Sequence, residues 1–152
     1  MKKIIIFLQI VIALTLANCG GYESIYSSKT SNFNISSIEI DNNNKINLKI
    51  KNSLRRFSNP DSEKEIAVKI SSEKNIITTS KDSKGDPKTF SMNIKLNLEI
   101  NQNGTKRSNT FTETFGYSNK SNKFDLKQYE KNIQNNLTDK IIENLNLYLT
   151  TI

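Results

Sequence analysis

The chain has 152 residues, enough for one domain with a single small core. It combines 35% hydrophobic and 24% charged residues at a mean hydropathy of −0.56, a polar but foldable composition. There is no histidine and one cysteine, Cys19, which excludes an intramolecular disulfide, a Cys/His metal site and histidine-based nucleophilic catalysis; the net charge of +7 suits an anionic partner without saying which.

Lys2 and Lys3 precede an apolar run from Ile4 to Leu16, interrupted only by Gln9 and Thr15. This is the charged region and apolar region of an export signal, and it is too short to cross a bilayer unaided, which takes about 20 residues. The run ends in Leu16-Ala17-Asn18-Cys19, which resembles the lipobox of bacterial lipoproteins, with Asn18 where Gly, Ala or Ser is usual. In that resemblance residues 1–18 are a signal peptide, and Cys19 becomes the first residue of the mature chain. Its thiol takes a diacylglycerol and its freed amine an N-acyl chain, and each buried CH₂ contributes about 0.8 kcal/mol of anchoring. Gly20 follows where an Asp would signal retention, so the sorting rule implies the outer membrane, on its periplasmic face. Loss of residues 1–18 leaves 20 basic against 15 acidic residues, a net charge of +5.

Residues 19–32 are small and polar apart from Tyr22, Ile25 and Tyr26 and read as a lipid-anchored tether. The folded domain is expected over 33–152. Phe33 and Ile35, then Ile38 and Ile40, alternate in two phases separated by Ser36-Ser37, the pattern of a strand with a bulge. Asp41 to Asn44 supply N-cap candidates for an amphipathic helix whose apolar stripe is Ile46, Ile50, Leu54 and Phe57. Asn59-Pro60-Asp61 ends it. Lys49, Lys51, Arg55 and Arg56 read as the wet face of this helix.

From Pro60 to Gly116 the period is two. Ile66, Val68 and Ile70 open a strand that continues through Ile76 and Ile77, and Ser80 to Pro87 read as a loop. Phe90, Met92, Ile94, Leu96, Leu98 and Ile100 then alternate with polar residues, the clearest strand in the chain. Asn103-Gly104 is a hairpin turn, and Phe111, Phe115 and Tyr117 continue the returning strand. A last helix carries the stripe Leu126, Tyr129, Ile133, Leu137, Ile141, Leu145, Tyr148 and Leu149, with a capping box of Asp125 and Gln128 and a staple of Phe124 on Tyr129. The order β-α-β-β-β-α predicts an α+β fold: a two-layer sandwich with a four-stranded, mostly antiparallel sheet and two helices on one face.

The lipobox, the opening Cys19-Gly20-Gly21-Tyr22, this element order, and the closing Tyr117-Ser118-Asn119, Tyr129, Asn136-Leu137, Ile141 and Leu145 resemble the LPS-assembly lipoprotein LptE family. The resemblance implies a non-enzymatic role. Such a lipoprotein sits as a plug in the outer-membrane barrel protein LptD, supports its assembly and helps deliver lipopolysaccharide to the outer leaflet. Lipopolysaccharide carries phosphates, so cationic loops are the candidate contacts: Lys81, Lys84 and Lys88, then Lys106 and Arg107, then Lys120 and Lys123. No cofactor is implied beyond the acyl chains on Cys19. The alternative is a binding or pilotin-like lipoprotein of another envelope complex. Nucleic acid is set aside by the export signal, and Asp82 and Asp86, two carboxylates in one loop, lack a nucleophile beside them.

Overall fold

Residues 31–152 are described by the structure, a computed structural model. The expected signal peptide, the lipobox-like stretch with Cys19, and the expected tether up to residue 30 lie outside the described residues.

Alternation of period two builds the sheet. β1 (Asn34–Ile40), β2 (Glu65–Lys81), β3 (Pro87–Gln102) and β4 (Thr105–Ser118) lie in the order β1-β2-β3-β4. β1 runs parallel to β2, and β2, β3 and β4 form an antiparallel meander. The parallel pair requires a crossover, which α1 (Lys45–Phe57) provides. In β1 the register jumps between Ile35, opposite Ile66, and Ser37, opposite Ala67. Ser36 is the extra residue, and its hydroxyl donates to the Ile66 carbonyl at 3.1 Å. The bulge reconciles the two phases, so Ile35, Ile38 and Ile40 all pack against the core.

On β3 the side chains of Met92, Ile94, Leu96, Leu98 and Ile100 are at most 2% exposed, and Ile66, Val68 and Ile70 of β2 lie in the same layer. Above them lies α2 (Lys123–Leu149), whose Leu126, Ile133, Leu137, Ile141, Leu145 and Leu149 are buried. Its 27 residues span about 40 Å at 1.5 Å per residue, so it runs along most of the sheet. α1 fills the remaining core with Ile46, Ile50 and Leu54. The two helices meet through Lys49, which reaches Asp139 at 2.7 Å.

α1 ends at Phe57, the last residue of its expected stripe, where the Ser58 N–H closes the last turn on the Leu54 carbonyl at 3.0 Å. Two boundaries differ from expectation. The β2–β3 loop shrinks from the expected Ser80–Pro87 to Asp82–Asp86, because Asp82 closes it by exchanging backbone bonds with Asp86 and Gly85. α2 begins three residues early: its N-cap is Asn122, whose side chain accepts from the N–H groups of Phe124 and Asp125 at 2.9 and 3.4 Å. The expected capping box at Asp125 and Gln128 is therefore not formed. Asp125 instead sits in the first turn, where a carboxylate complements the helix dipole. Phe124 is 75% exposed, so the staple onto Tyr129 is absent as well.

One feature of α1 escapes its apolar stripe. Asn47 is fully buried, donating to the carbonyl and side-chain oxygen of Asn42 at 3.0 and 3.1 Å. Asn44, the N-cap, bonds to Ser72 of β2. This amide network ties the start of α1 to the sheet where β1 ends.

Because Leu137 is 4% exposed under α2, we predict that Leu137→Ala lowers stability by about 3 kcal/mol. Leu137→Asp should abolish cooperative folding. Thermal melts followed by circular dichroism measure both, and a Leu137→Asp protein melting like the parent would refute this account of the core.

Candidate functional site

The meander decides which loops meet. In register, Lys81 of β2 faces Pro87, and Thr89 faces Ser118, so the β2–β3 turn and the β4–α2 connection share one end of the sheet. Asn119 joins them: its N–H donates to the Lys88 carbonyl at 2.9 Å and its side-chain amide to the Pro87 carbonyl at 2.7 Å. Lys81, Lys84, Lys88, Lys120 and Lys123 are thereby gathered at this tip, all exposed. Lys106 and Arg107 lie at the other end of β3, opposite Asn101 and Ile100. The 13 residue steps of β3 from Lys88 to Asn101 correspond to about 44 Å. The seven cations proposed from sequence are thus split five and two, too far apart for one headgroup. Lys106 is also paired, with Glu99 at 3.0 Å.

The tip turn is rigid for a reason visible in its atoms. The Asp82 carboxylate accepts from the N–H groups of Lys84 and Asp86, both at 2.9 Å, and Gly85 adopts φ +89°. Asp82 is therefore a turn-former. Below the turn lies an aromatic column: Phe90 against Tyr117, with centroids 5.5 Å apart, and Tyr117 edge-on to Tyr129 at 6.0 Å. The ammonium of Lys120 stands 4.4 Å from the centroid of the Tyr129 ring. Tyr117 is 5% exposed and its hydroxyl donates to Glu130 at 2.7 Å. Burial, and then the Glu130 carboxylate, raise the Tyr117 pKa far above the ordinary phenol value. Phe115, Phe124 and Ile77, each 45% or more exposed, lie on the segments around this end. The exposed Phe124 was missed by sequence because the wrong cap assigned it a packing role.

The second surface is the sheet face that no helix covers. On it Asn93 bonds to Thr114 at 2.8 Å and Asn97 to Thr110 at 3.1 Å across the β3–β4 pair. Lys69 meets Glu39 at 3.2 Å and Asp41 at 3.5 Å, and both raise its pKa, Glu39 the more. A shallow groove of about 360 Å³ runs between Asp41, Lys69, Asn97, Glu99, Ser108 and Thr110. Amides, hydroxyls and balanced charges make this a hydrogen-bonding face. At the far end the turn Asn103-Gly104 places both residues at positive φ, +51° and +84°, as a two-residue type I′ hairpin requires.

No protein-family model and no curated protein sequence matches the chain. Solved structures do match in fold. Rare lipoprotein B from Shewanella oneidensis aligns over 72% of this chain and 92% of its own at a TM-score of 0.52 and 10% identity. Lipoprotein B from Nitrosomonas europaea aligns over 83% and 88% at a TM-score of 0.58 and 8% identity. A minor lipoprotein from Acinetobacter baumannii covers 78% and 92% at 0.52 and 12% identity. The chain shares the fold of these lipoproteins.

Tyr117 titrates above its unfolded value, so the folded state holds the proton more tightly and the associated stability is present below about pH 10, then is lost as pH rises through that range. We predict that Tyr117→Phe costs about 1 kcal/mol at pH 7 through the lost hydrogen bond. It should also flatten the fall in stability above pH 10. Urea unfolding at pH 7 and pH 10.5 checks this, and an unchanged alkaline slope in the variant would contradict the assignment.

Proposed function

We propose that this protein is a lipid-anchored outer-membrane lipoprotein that supports assembly of an LptD-type barrel, as a plug within it, and assists delivery of lipopolysaccharide to the outer leaflet. The observation that carries the reading is the shared fold with rare lipoprotein B and its like, joined to a lipobox cysteine at residue 19. The surfaces support it. A plug in a water-filled lumen needs a wall of hydrogen-bonding groups, which the uncovered Asn/Thr/Ser sheet face offers. Phosphorylated glycolipid needs clustered cations, and five lysines stand at the tip beside exposed apolar side chains. A role in an envelope complex built around a secretion channel is the competing reading, and its partner would differ.

The partner test is affinity purification from outer membranes: a barrel of the LptD type should co-purify. Recovery of the lipoprotein alone, or with a secretion ring, refutes the proposal. Cys19→Ser should lose palmitate labelling, and full labelling would remove the anchor from the scheme. For the ligand, replacing Lys81, Lys84, Lys88, Lys120 and Lys123 by Gln should weaken lipopolysaccharide binding by about tenfold or more. The pair Lys106→Gln and Arg107→Gln should change it less than about twofold, since Lys106 is already paired. Equal losses from the two sets would mean the tip is not the site.

A further inference from the structure

The positive charge of the domain is not evenly distributed. α1 carries Lys45, Lys49, Lys51, Arg55 and Arg56 and no acidic residue, whereas α2 balances four lysines with four carboxylates. Among the described residues only Lys49 of the five has an ionic partner. At about 100° per residue the outward arc of α1 has Leu48 and Asn52 at its centre. Lys51 and Arg55 flank them on one side, and Lys45, Lys49 and Arg56 on the other. Leu48 is 42% exposed within this cationic field.

A merely solvated helix face gains from pairing opposite charges four residues apart. Here Lys45 and Lys49, and Lys51 and Arg55, are like charges at that spacing, each pair repulsive. Lys45 also occupies the first turn, at the positive end of the helix dipole. Lys49 answers Asp139 of α2, and Arg55 and Arg56 lie in the last turn, but Lys45 and Lys51 have no local electrostatic reason to be basic. The arrangement is unfavourable in isolation and becomes favourable against an anionic surface.

The position of α1 says which surface. Its C-terminal end is bound to the point where the described chain begins: the Asn59 N–H donates to the Phe33 carbonyl at 3.0 Å and Ser58 bonds to Asn34 at 3.0 Å. From Cys19 to Ser31 there are twelve residue steps, at most about 43 Å of chain. We propose that the outward face of α1 is a second membrane contact, docking the domain onto anionic phospholipid headgroups of the leaflet in which the Cys19 acyl chains are embedded. The inference rests on the lipoprotein reading of Cys19 and is independent of any barrel partner. One lipid anchor and a cationic patch cooperate because each cation near an anionic surface strengthens attachment about fivefold. Docked this way before a barrel encloses it, the helical layer faces the lipid, and the polar sheet face points away from it, free to engage a protein partner.

The test uses full-length lipoprotein reconstituted into vesicles of phosphatidylcholine, with or without ~30% phosphatidylglycerol, a fraction sufficient for an anionic surface potential. Intact mass first establishes acylation of Cys19, so failure of the anchor reading is seen separately from failure of docking. With Cys19 acylated, Leu48→Cys supplies the sole free thiol for a fluorophore, and headgroup-labelled lipid is the energy-transfer acceptor. Transfer should be at least about twofold higher on the anionic vesicles. It should fall to the neutral-lipid level in ~0.5 M salt, where the screening length is about 4 Å, and in the variant with Lys45, Lys51, Arg55 and Arg56 all replaced by Gln. A label at Thr112→Cys, opposite Lys95 in the middle of the uncovered sheet face and away from the lysine tip, should show no lipid dependence. Equal transfer on both lipids, insensitivity to the four substitutions, or equal approach of the Thr112 label overturns the proposal. Capture of an acidic protein by α1 without lipid-dependent transfer does so too, in favour of a protein contact.

Discussion

The burial of one face of β3 under α2 is the contact on which the other placements depend. Met92, Ile94, Leu96, Leu98 and Ile100 project from the same side of one strand, and each is removed from water almost completely. Burying an aliphatic side chain contributes about 1.5–3 kcal/mol, so this single row is a large part of what opposes chain entropy. The stripe of α2 matches it because 27 residues of helix reach about 40 Å, most of the length of the strand. Once that pairing is made, strand alternation leaves Asn93, Asn97 and Glu99 on the other side, where cross-strand bonds to Thr114, Thr110 and Lys106 satisfy them. The bare polar face is the other half of the same constraint.

Chain reversal then sorts the cations. An antiparallel meander of strands 14 to 17 residues long returns every second loop to the same end. The β2–β3 turn and the β4–α2 connection coincide, and the β3–β4 turn is sent away. The described chain also starts at that second end, since Asn34 is level with Glu65 while Lys81 lies 16 residues further along β2. The lysine tip therefore stands about 50 Å of strand from the start of the described chain. Held at that end by the proposed anchor on Cys19, the domain would carry its charged tip into a space that the anchor itself cannot enter.

How much of this could be read from the residues depends on the range of the interaction. The alternation in β3, the stripe of α2, the phase change at Ser36-Ser37 and the Asn103-Gly104 turn are local patterns, and the structure keeps each of them. The start of α2 was misplaced because Asn122 and Asp125 are equally competent caps, and the earlier one gains the bond from the Leu126 N–H to its carbonyl at 3.0 Å. Buried Asn47 was invisible because its partner Asn42 makes a polar residue acceptable at a core position, which breaks the binary pattern. The gathering of five lysines was not legible at all. It follows from strand order, and strand order is set by nonlocal packing, with no local signature beyond the turn residues.

The likeness in fold to solved lipoprotein structures at about a tenth of residues identical is consistent with this division of labour. What the fold demands is a period of two on four strands, a period of 3.6 on two helices and reversals at the right spacing, and many apolar residues meet those demands about equally well. The core residues are thus constrained in kind and position, but little in identity. The exposed residues are constrained by neither. A surface under no demand from the fold would be expected to drift toward mixed charge, as α2 shows with its balanced lysines and carboxylates. α1 carries only cations while lying in the same layer of the same domain. Packing calls only for Lys49, which meets Asp139 of α2, and the repulsion between Lys51 and Arg55 works against the rest. On the proposed docking, the asymmetry between two helices on one sheet face reflects the anionic surface that α1 meets outside the domain.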